Sequence, residues 1–139
     1  MNNISMKVQI LALISLIFVG GTSAGLQKYA VKGRLMCGAV PATGDSYDTG
    51  RPDDNLDEKT TDGQGNFYLA GQTSELGDID PMLKIYHHCL DGVFSIRKRR
   101  WRFELPKKNI GHGSNSQPKI LELGTINLEV KPLAEDRNF

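Results

Sequence analysis

Hydrophobic and polar residues alternate with a period of two in four stretches of the chain, a pattern typical of half-buried β-strands. In the first two stretches, the residues that share a face are Tyr29, Val31, Gly33, Leu35 and Cys37, and then Leu83, Ile85, His87 and Cys89. In the last two they are Trp101, Phe103 and Leu105, and then Leu121, Leu123, Ile126, Leu128 and Val130, with a break at Gly124-Thr125. The alternation predicts strands, not helices, in all four places.

Turn residues separate the predicted strands, among them Asp62-Gly63, Asp91-Gly92 and the glycine-rich stretch from Gly111 to Asn115. Many short strands divided by turns are typical of a β-sandwich, so we predict an all-β domain of about seven strands. The one segment compatible with a helix, and only a short one, is Gln72–Asp78.

The turn after Thr61 has a simple structural reading. The Asp62 side chain can bond the backbone ahead of it, and Gly63 and Gly65 can adopt positive φ at little cost. Phe67 then enters the core. Because no lysine and no helix-forming segment follow, we interpret the segment as the turn of a β-hairpin and not as a phosphate-binding loop.

The N-terminal segment has the three parts of a secretory signal peptide. Lys7 supplies a positive charge, residues 8–19 form an apolar core, and a run of small residues ends at Ala24. The apolar core is shorter than the roughly 20 residues that span a bilayer, so we expect secretion and no integral membrane span, with a signal anchor as the alternative. The predicted regions are a signal peptide at 1–24, a β-sandwich domain at 25–131 and a frayed polar C-terminal tail at 132–139.

Two cysteines, Cys37 and Cys89, belong to the exported part of the chain. In an oxidising compartment an even number favours a disulfide over the alternative of two buried free thiols. A closed loop of this length is worth about 4 kcal/mol in the chain-entropy model.

Lys7 is the one charged residue of the signal, so the remainder carries 16 of the chain's 17 basic residues against 16 acidic ones. A balanced charge gives no global attraction to nucleic acid or to a membrane.

Seven short segments occur in an order that is more specific than any one of them. They are Val31–Cys37, Asp53–Glu58, Thr61–Phe67, Ile79–Pro81, Leu83–Cys89, Arg97-Lys98 and Gly124–Leu128. In this order, behind a signal peptide, they resemble the nematode transthyretin-like family of secreted proteins. The resemblance implies a transthyretin-like Greek-key β-sandwich of seven or eight strands, and most members of the family lack a known biochemical activity.

One segment departs from the family's pattern. Between the proline after the first cysteine and the acidic run, the family has a full strand, whereas residues 41–51 here read PATGDSYDTGR and are rich in turn formers. We therefore expect either a truncated strand that exposes a neighbouring edge or a loop that substitutes for it. The Tyr-Arg-Gly-Ser signature of the related enzyme that hydrolyses 5-hydroxyisourate is missing, and no residue match identifies transthyretin's hormone site.

The residues that could hold a metal or carry catalysis are scattered. His87 and His88 are neighbours on a predicted strand and so point to opposite faces, and His112 lies alone in a glycine loop. The acidic run Asp53–Glu58 lacks the spacing of a calcium loop, which favours a solvated acidic loop. No nucleophile elbow or triad pattern is present. We expect no enzymatic activity, no metal and no cofactor.

The most prominent surface feature is a basic run from Arg97 to Arg102. Alternation directs Trp101 inward, and because Arg97 and Arg99 are poor core residues we expect the inward register to begin near Trp101. The outward side chains, extended past the strand by two lysines, form what we call the basic row, which consists of Lys98, Arg100, Arg102, Lys107 and Lys108. Such a row is suited to binding an anionic partner. Charge that protects an edge strand, or cleavage by a furin-like protease, are the alternatives.

These features favour a secreted, non-enzymatic extracellular binding module. Its expected partner is an extracellular protein, a glycan or an anionic lipid headgroup, bound through the basic row. The alternative is a carrier of a small hydrophobic ligand in a cavity or subunit channel, by analogy with transthyretin.

Overall fold

A computed structural model of the protein describes residues 24–44, 46–50 and 55–137, with the backbone alone for residues 46–50 and Asn55. The predicted signal peptide lies outside the described residues except for Ala24. Asp53 and Asp54 of the acidic run also lie outside them.

The described part of the chain contains nine strands and no α-helix. The strands are β1 (Gly25–Cys37), β2 (Val40–Pro41), β3 (Ser46–Gly50), β4 (Asn55–Thr60), β5 (Asn66–Glu75), β6 (Met82–His87), β7 (Arg99–Glu104), β8 (Gly111–His112) and β9 (Leu121–Asn127). A single 3₁₀ turn at Lys107–Asn109 follows β7. Seven of the strands have five or more residues, which agrees with the predicted number.

The strands form two sheets. In the first sheet, β1 is central: β5 and β2 pair with it antiparallel along one side, and β8 and β9 pair along the other, β9 in parallel. The second sheet has the order β4-β3-β6-β7 and is antiparallel throughout. β7 is therefore an edge strand, and so is β9 in the other sheet.

The core lies between the sheets and comes from the alternating residues of both. Its fully buried members include Tyr29, Val31, Leu35, Leu69, Leu83, Ile85 and Leu128. The predicted inward faces of β1, β6 and β7 are confirmed, and with them the all-β sandwich. Val130 is the exception: it lies beyond the end of β9 and is exposed, because the chain leaves the sheet after Asn127.

Two local expectations are wrong, and a third holds only for part of its segment. The segment proposed for a short helix continues β5 as far as Glu75, because the 13-residue β1 offers a partner along its whole first part, with Gln72 opposite Lys28. The segment expected to be truncated forms the five-residue β3, which lies between β4 and β6 and leaves no open edge there. The acidic run is also not a loop throughout, since β4 begins at Asn55.

The turn before β5 is built as expected around Asp62. Its carboxylate accepts the backbone N–H groups of Gln64 at 2.8 Å and Asn66 at 2.9 Å, and these bonds lower the pKa of Asp62. Gly65 has φ of +79°, and a Cβ there would lie 2.3 Å from the carbonyl oxygen of Leu35. Of the two glycines, only Gly65 uses this freedom, since Gly63 does not have positive φ.

Cys37 and Cys89 form a disulfide with a Cα–Cα distance of 5.6 Å, within the ordinary range. Cys37 ends β1 of the first sheet, and Cys89 follows β6 of the second. The bridge therefore ties the two sheets together at one end of the sandwich.

Candidate binding surface

The free side of β7 is occupied by the C-terminal segment. The backbone N–H of Arg100 donates to the carbonyl of Asp136 at 2.8 Å, and the N–H of Asp136 donates back at 3.1 Å. The expectation of a frayed tail is therefore wrong for residues 135–137, which we call the clasp. Because an exposed strand edge attracts any unpaired strand, this bridge also covers part of an edge that would otherwise be open.

The clasp brings the carboxylate of Glu135 into contact with the inward-facing side chains of β7. Glu135 accepts two hydrogen bonds from the guanidinium of Arg99, at 2.9 and 2.6 Å, and one from the indole Nε1 of Trp101 at 2.8 Å. The Arg99 and Glu135 side chains are only 7% and 6% exposed. The bonds from Arg99 hold the pKa of Glu135 below its usual range.

Arg99 thus faces inward, and the inward register of β7 begins two residues earlier than expected. Its remaining N–H groups donate to the carbonyl oxygens of Cys89 at 2.7 Å and of Val130 at 3.3 Å. A buried charge is tolerated only when it is paired and hydrogen-bonded, and Arg99 meets both conditions.

On the outer face, one carboxylate of the clasp binds two members of the basic row. Asp136 accepts two bonds from Arg100, at 2.8 and 2.9 Å, and its Oδ2 lies 3.0 Å from Nη2 of Arg102. The bonds with Arg100 lower the pKa of Asp136 and raise that of Arg100. Arg100 is half-buried, whereas the side chain of Arg102 is 45% exposed. The predicted outward direction of Arg100 and Arg102 is confirmed, but the guanidinium of Arg100 is bound to a carboxylate of the same domain.

The lysines extend the basic row beyond the strand. Lys107 and Lys108 are exposed on the 3₁₀ turn, and Lys98 is half-buried just before β7. Nζ of Lys107 lies 2.5 Å from a carboxylate oxygen of Asp80, and that hydrogen bond raises the pKa of Lys107. Asp136 therefore binds Arg100 and Arg102, and Asp80 binds Lys107.

The last residue of the clasp reaches the loop between β6 and β7. Arg137 donates from both terminal nitrogens to the carboxylate of Asp91, and from Nη1 to the hydroxyl of Ser95 at 3.0 Å and the carbonyl of Arg97 at 2.8 Å. These bonds lower the pKa of Asp91, whose side chain is only 5% exposed. The clasp therefore fixes both the edge strand and the loop that leads into it.

The histidines do not converge on a site. His87 is fully buried, with its ring edge-on to Trp101 at 5.1 Å, and its Nδ1 accepts the N–H of Cys89 at 3.2 Å. Burial, reinforced by Arg99, lowers the pKa of His87 to about 4. His88 points outward to Asp91 at 3.2 Å, as the strand alternation predicts. Within the described ranges, no group of three or more His, Cys, Asp or Glu side chains could hold a metal ion.

An apolar groove lies between the two edge strands β7 and β9. It has a volume of about 540 Å³, within the range of small-molecule sites. Its apolar lining includes Trp101, Phe103, Leu105, Leu121, Leu123 and Ile126. The groove is open to solvent.

Comparison with known proteins agrees with this architecture. A model of the transthyretin-like family (TTR-52) matches residues 32–106, which include β1 from Lys32 onward and all of β5, β6 and β7. The chain belongs to the transthyretin-like family. Transthyretin-like protein 33 of Caenorhabditis elegans is 40% identical over 138 residues, covering 92% of this chain and 95% of its own length.

Two further nematode relatives are nearly as similar. Transthyretin-like protein 46 of C. elegans is 40% identical over 134 residues, with 91% of this chain and 74% of its own length covered. Transthyretin-like protein 2 is 34% identical over 135 residues, with 89% and 87% covered. A solved 9R-lipoxygenase from Cyanothece aligns with a TM-score of 0.39 at 18% identity, over 73% of this chain and 16% of that one, which is too distant to support an argument.

In the part of the chain that the structure describes, no helix is long and apolar enough to cross a membrane.

Proposed function

We propose that this member of the transthyretin-like family is a secreted, non-enzymatic binding module that recognises an anionic extracellular partner. Three observations support secretion: the signal-like N-terminal sequence, the disulfide between Cys37 and Cys89, and the family. Disulfides persist in oxidising compartments, which include the extracellular space, and are rare in the cytosol.

The observation that carries the proposal is the ordered basic row on the outer face of β7. Asp136 holds Arg102 in place while leaving 45% of its side chain exposed, and Lys107 and Lys108 continue the row into solvent. Cations held in position by neighbours lose little conformational entropy when a partner binds. Arg100 contributes by fixing Asp136 and not by meeting a partner directly.

The carboxylates with lowered pKa values support a non-enzymatic role, because each of them has a structural partner. Glu135, Asp136 and Asp91 have lowered pKa values because each accepts bonds from an arginine of the same domain. Structural ion pairs of this kind perturb a pKa without any catalytic role.

Removal of two charges from the row tests the proposal. The variant R102Q/K108Q should bind a sulfated glycan or anionic vesicles about thirtyfold more weakly, since each cation near an anionic surface contributes about 1 kcal/mol. The matched control is K32Q/K119Q, because Lys32 is also 45% exposed and paired with a carboxylate, Glu122, on the other sheet. Equal loss in both variants would show that only overall charge matters, and no loss in R102Q/K108Q would remove the basic row as the site.

The apolar groove favours a second candidate function, that of a carrier for a small hydrophobic ligand. A ligand bound there would lie against Trp101, the only tryptophan of the chain, and would change its fluorescence. Leu123→Trp should fill the groove and abolish binding of a fluorescent fatty acid, whereas Ile120→Trp, outside the groove and half exposed, should leave it intact. Unchanged binding in both variants would exclude the groove as a carrier site.

A further inference from the structure

The loop between β6 and β7 is exposed over most of its length. It runs from the end of β6 at His87 to the start of β7 at Arg99, and the structure describes every residue of it. Its backbone is closed by local turns, and residues 88–98 pair with no strand. Exposed loops of this kind are the preferred sites of proteolytic cleavage.

The loop can open without loss of core contacts. Val93, Phe94 and Ile96 are each more than nine-tenths exposed, so extension of the loop withdraws none of them from the core. Segments with few buried apolar contacts open locally at a low cost in free energy. Arg97 follows this tip, and its exposed cationic side chain is the type that the acidic specificity pocket of a trypsin-like protease binds.

The start of β7 decides which bond of the basic run is accessible. The bond after Arg100, which a furin-like protease would cut, lies inside β7, where Arg100 is opposite Tyr86 of β6 and bridged to Asp136 of the clasp. Cleavage there requires β7 to leave its sheet. The bond between Arg97 and Lys98 precedes the strand and requires only the loop to open.

The clasp holds the carbonyl group of this accessible bond. The Arg97 carbonyl accepts a hydrogen bond from Nη1 of Arg137 at 2.8 Å and another from the Ser95 hydroxyl at 3.2 Å. Arg137 is itself fixed by the nearly covered carboxylate of Asp91. A serine protease has to bind the same carbonyl oxygen in its oxyanion hole, so both hydrogen bonds must break first. Access to the bond therefore depends on release of Arg137.

The disulfide does not retain the fragment that cleavage would produce. Cys37 and Cys89 both lie on the N-terminal side of the bond, so residues 98–139 would stay attached through non-covalent contacts, chiefly the pairing of β7 with β6 and of β9 with β1. All five cations of the basic row lie on this C-terminal fragment. A cut between the two cysteines would instead leave its fragments covalently joined.

We propose that the peptide bond between Arg97 and Lys98 is a cleavage site for an extracellular trypsin-like protease, and that the clasp controls access to it. Hydrolysis adds water across the bond and leaves a carboxylate on Arg97 and an α-amino group on Lys98. Because an α-amino group is mostly protonated at pH 7, it adds a cation at the start of the basic row. The inference goes beyond the proposed function and does not depend on it.

Limited digestion of the oxidised full domain with trypsin tests the site, with each cut located by mass spectrometry. The first cut within residues 25–131 should follow Arg97, and the fragment that begins at Lys98 should separate on a denaturing gel without reductant. Arg97→Gln should slow this cut by about a hundredfold or more, because the specificity pocket loses its cation, whereas Arg97→Lys should still be cut there. A first cut at another residue of this range, or a fragment that separates only with reductant, would overturn the inference.

The contact from the clasp has a variant of its own. Arg137→Gln should raise the initial rate of cleavage after Arg97 about tenfold, since proteolysis of a loop follows the population of its open form. Lys32→Gln is the matched control and should leave the rate unchanged, because Lys32 is 45% exposed against 43% for Arg137 and its partner Glu122 lies on the other sheet. Equal rates in the parent and in Arg137→Gln would overturn control by the clasp. So would a rise at all cleavage sites alike, which would indicate global unfolding.

Discussion

The buried ion pair between Arg99 and Glu135 gives the sharpest stability prediction. Substitution of Glu135 by Ala removes the acceptor for two bonds from Arg99 and one from Trp101. Arg99 cannot move its charge into water easily, because its side chain is 7% exposed and its other N–H groups remain bonded to backbone carbonyls.

The expected cost is about 3–5 kcal/mol, the usual result when one partner of a buried pair is removed and the other charge stays buried. That is a large share of the roughly 5–15 kcal/mol by which small domains are stable. For a domain of this size the loss corresponds to a fall in Tm of roughly 10–20 °C.

Urea and thermal denaturation followed by Trp101 fluorescence measure this cost directly, because the indole itself contacts Glu135. Glu104→Gln is the matched control: Glu104 is an exposed carboxylate of β7, and its loss should stay within about 0.5 kcal/mol. The double variant R99M/E135L should recover part of the stability, since an apolar pair replaces the charges. If E135A were no more costly than E104Q, the clasp would not be docked in solution and the reasoning would be refuted.

Three further predictions concern pH, covalent linkage and backbone conformation. Because burial lowers the pKa of His87 to about 4 while the unfolded chain titrates near 6.5, acidification between these values protonates only the unfolded state. Stability should therefore fall by up to about 3 kcal/mol from pH 6.5 to pH 4, and His87→Asn, which keeps an acceptor near the position of Nδ1, should flatten this dependence in urea titrations at several pH values. Replacement of Cys37 and Cys89 by serine should cost about 2–5 kcal/mol, measured as a shift in the urea midpoint; a reduced parent that unfolds like the oxidised one would contradict it. Gly65→Ala should cost more than 1 kcal/mol, because the residue has positive φ and its Cβ would press on the Leu35 carbonyl, and Gly63→Ala, with open space around it, should be nearly neutral in the same assay.

Local patterning was sufficient to predict much of this fold. The alternation through Tyr29, Val31 and Leu35, and again through Leu83 and Ile85, reports burial because side chains on a strand point to opposite faces. The turn at Asp62 was also predictable, since its bonds reach only two and four residues along the chain.

What the patterns did not predict depends on contacts between distant parts of the chain. Residues 72–75 lack strong strand propensity and are strands because β1 is long enough to pair with them. Residues 46–50 have little to bury, but β4 and β6 offer hydrogen-bonding partners on both sides. In both places tertiary pairing overrides local preference.

The sequence was sufficient to place the cations of the basic row on and after β7. It did not predict that Glu135 and Asp136 bind the arginines of that strand. Glu135 and Asp136 lie 36 residues from their arginine partners, so no local signal links them. One signal was available: the acidic pair near the C-terminus complements the basic run before Trp101, and Arg99 on an inward position required a buried partner. The groove between β7 and β9 is lined by strands of two different sheets, and no local residue pattern shows that these strands lie side by side.

The most direct test of the proposed function is the salt dependence of binding by the oxidised domain to a sulfated glycan and to anionic vesicles. Binding through the basic row predicts saturable association with at least one of them at low salt, weakening steadily as salt screens the exposed cations. It further predicts a shallower salt dependence for R102Q/K108Q than for K32Q/K119Q. No saturable binding to either ligand at low salt would contradict the account, and the cations of β7 would then serve to hold the clasp and protect the strand edge.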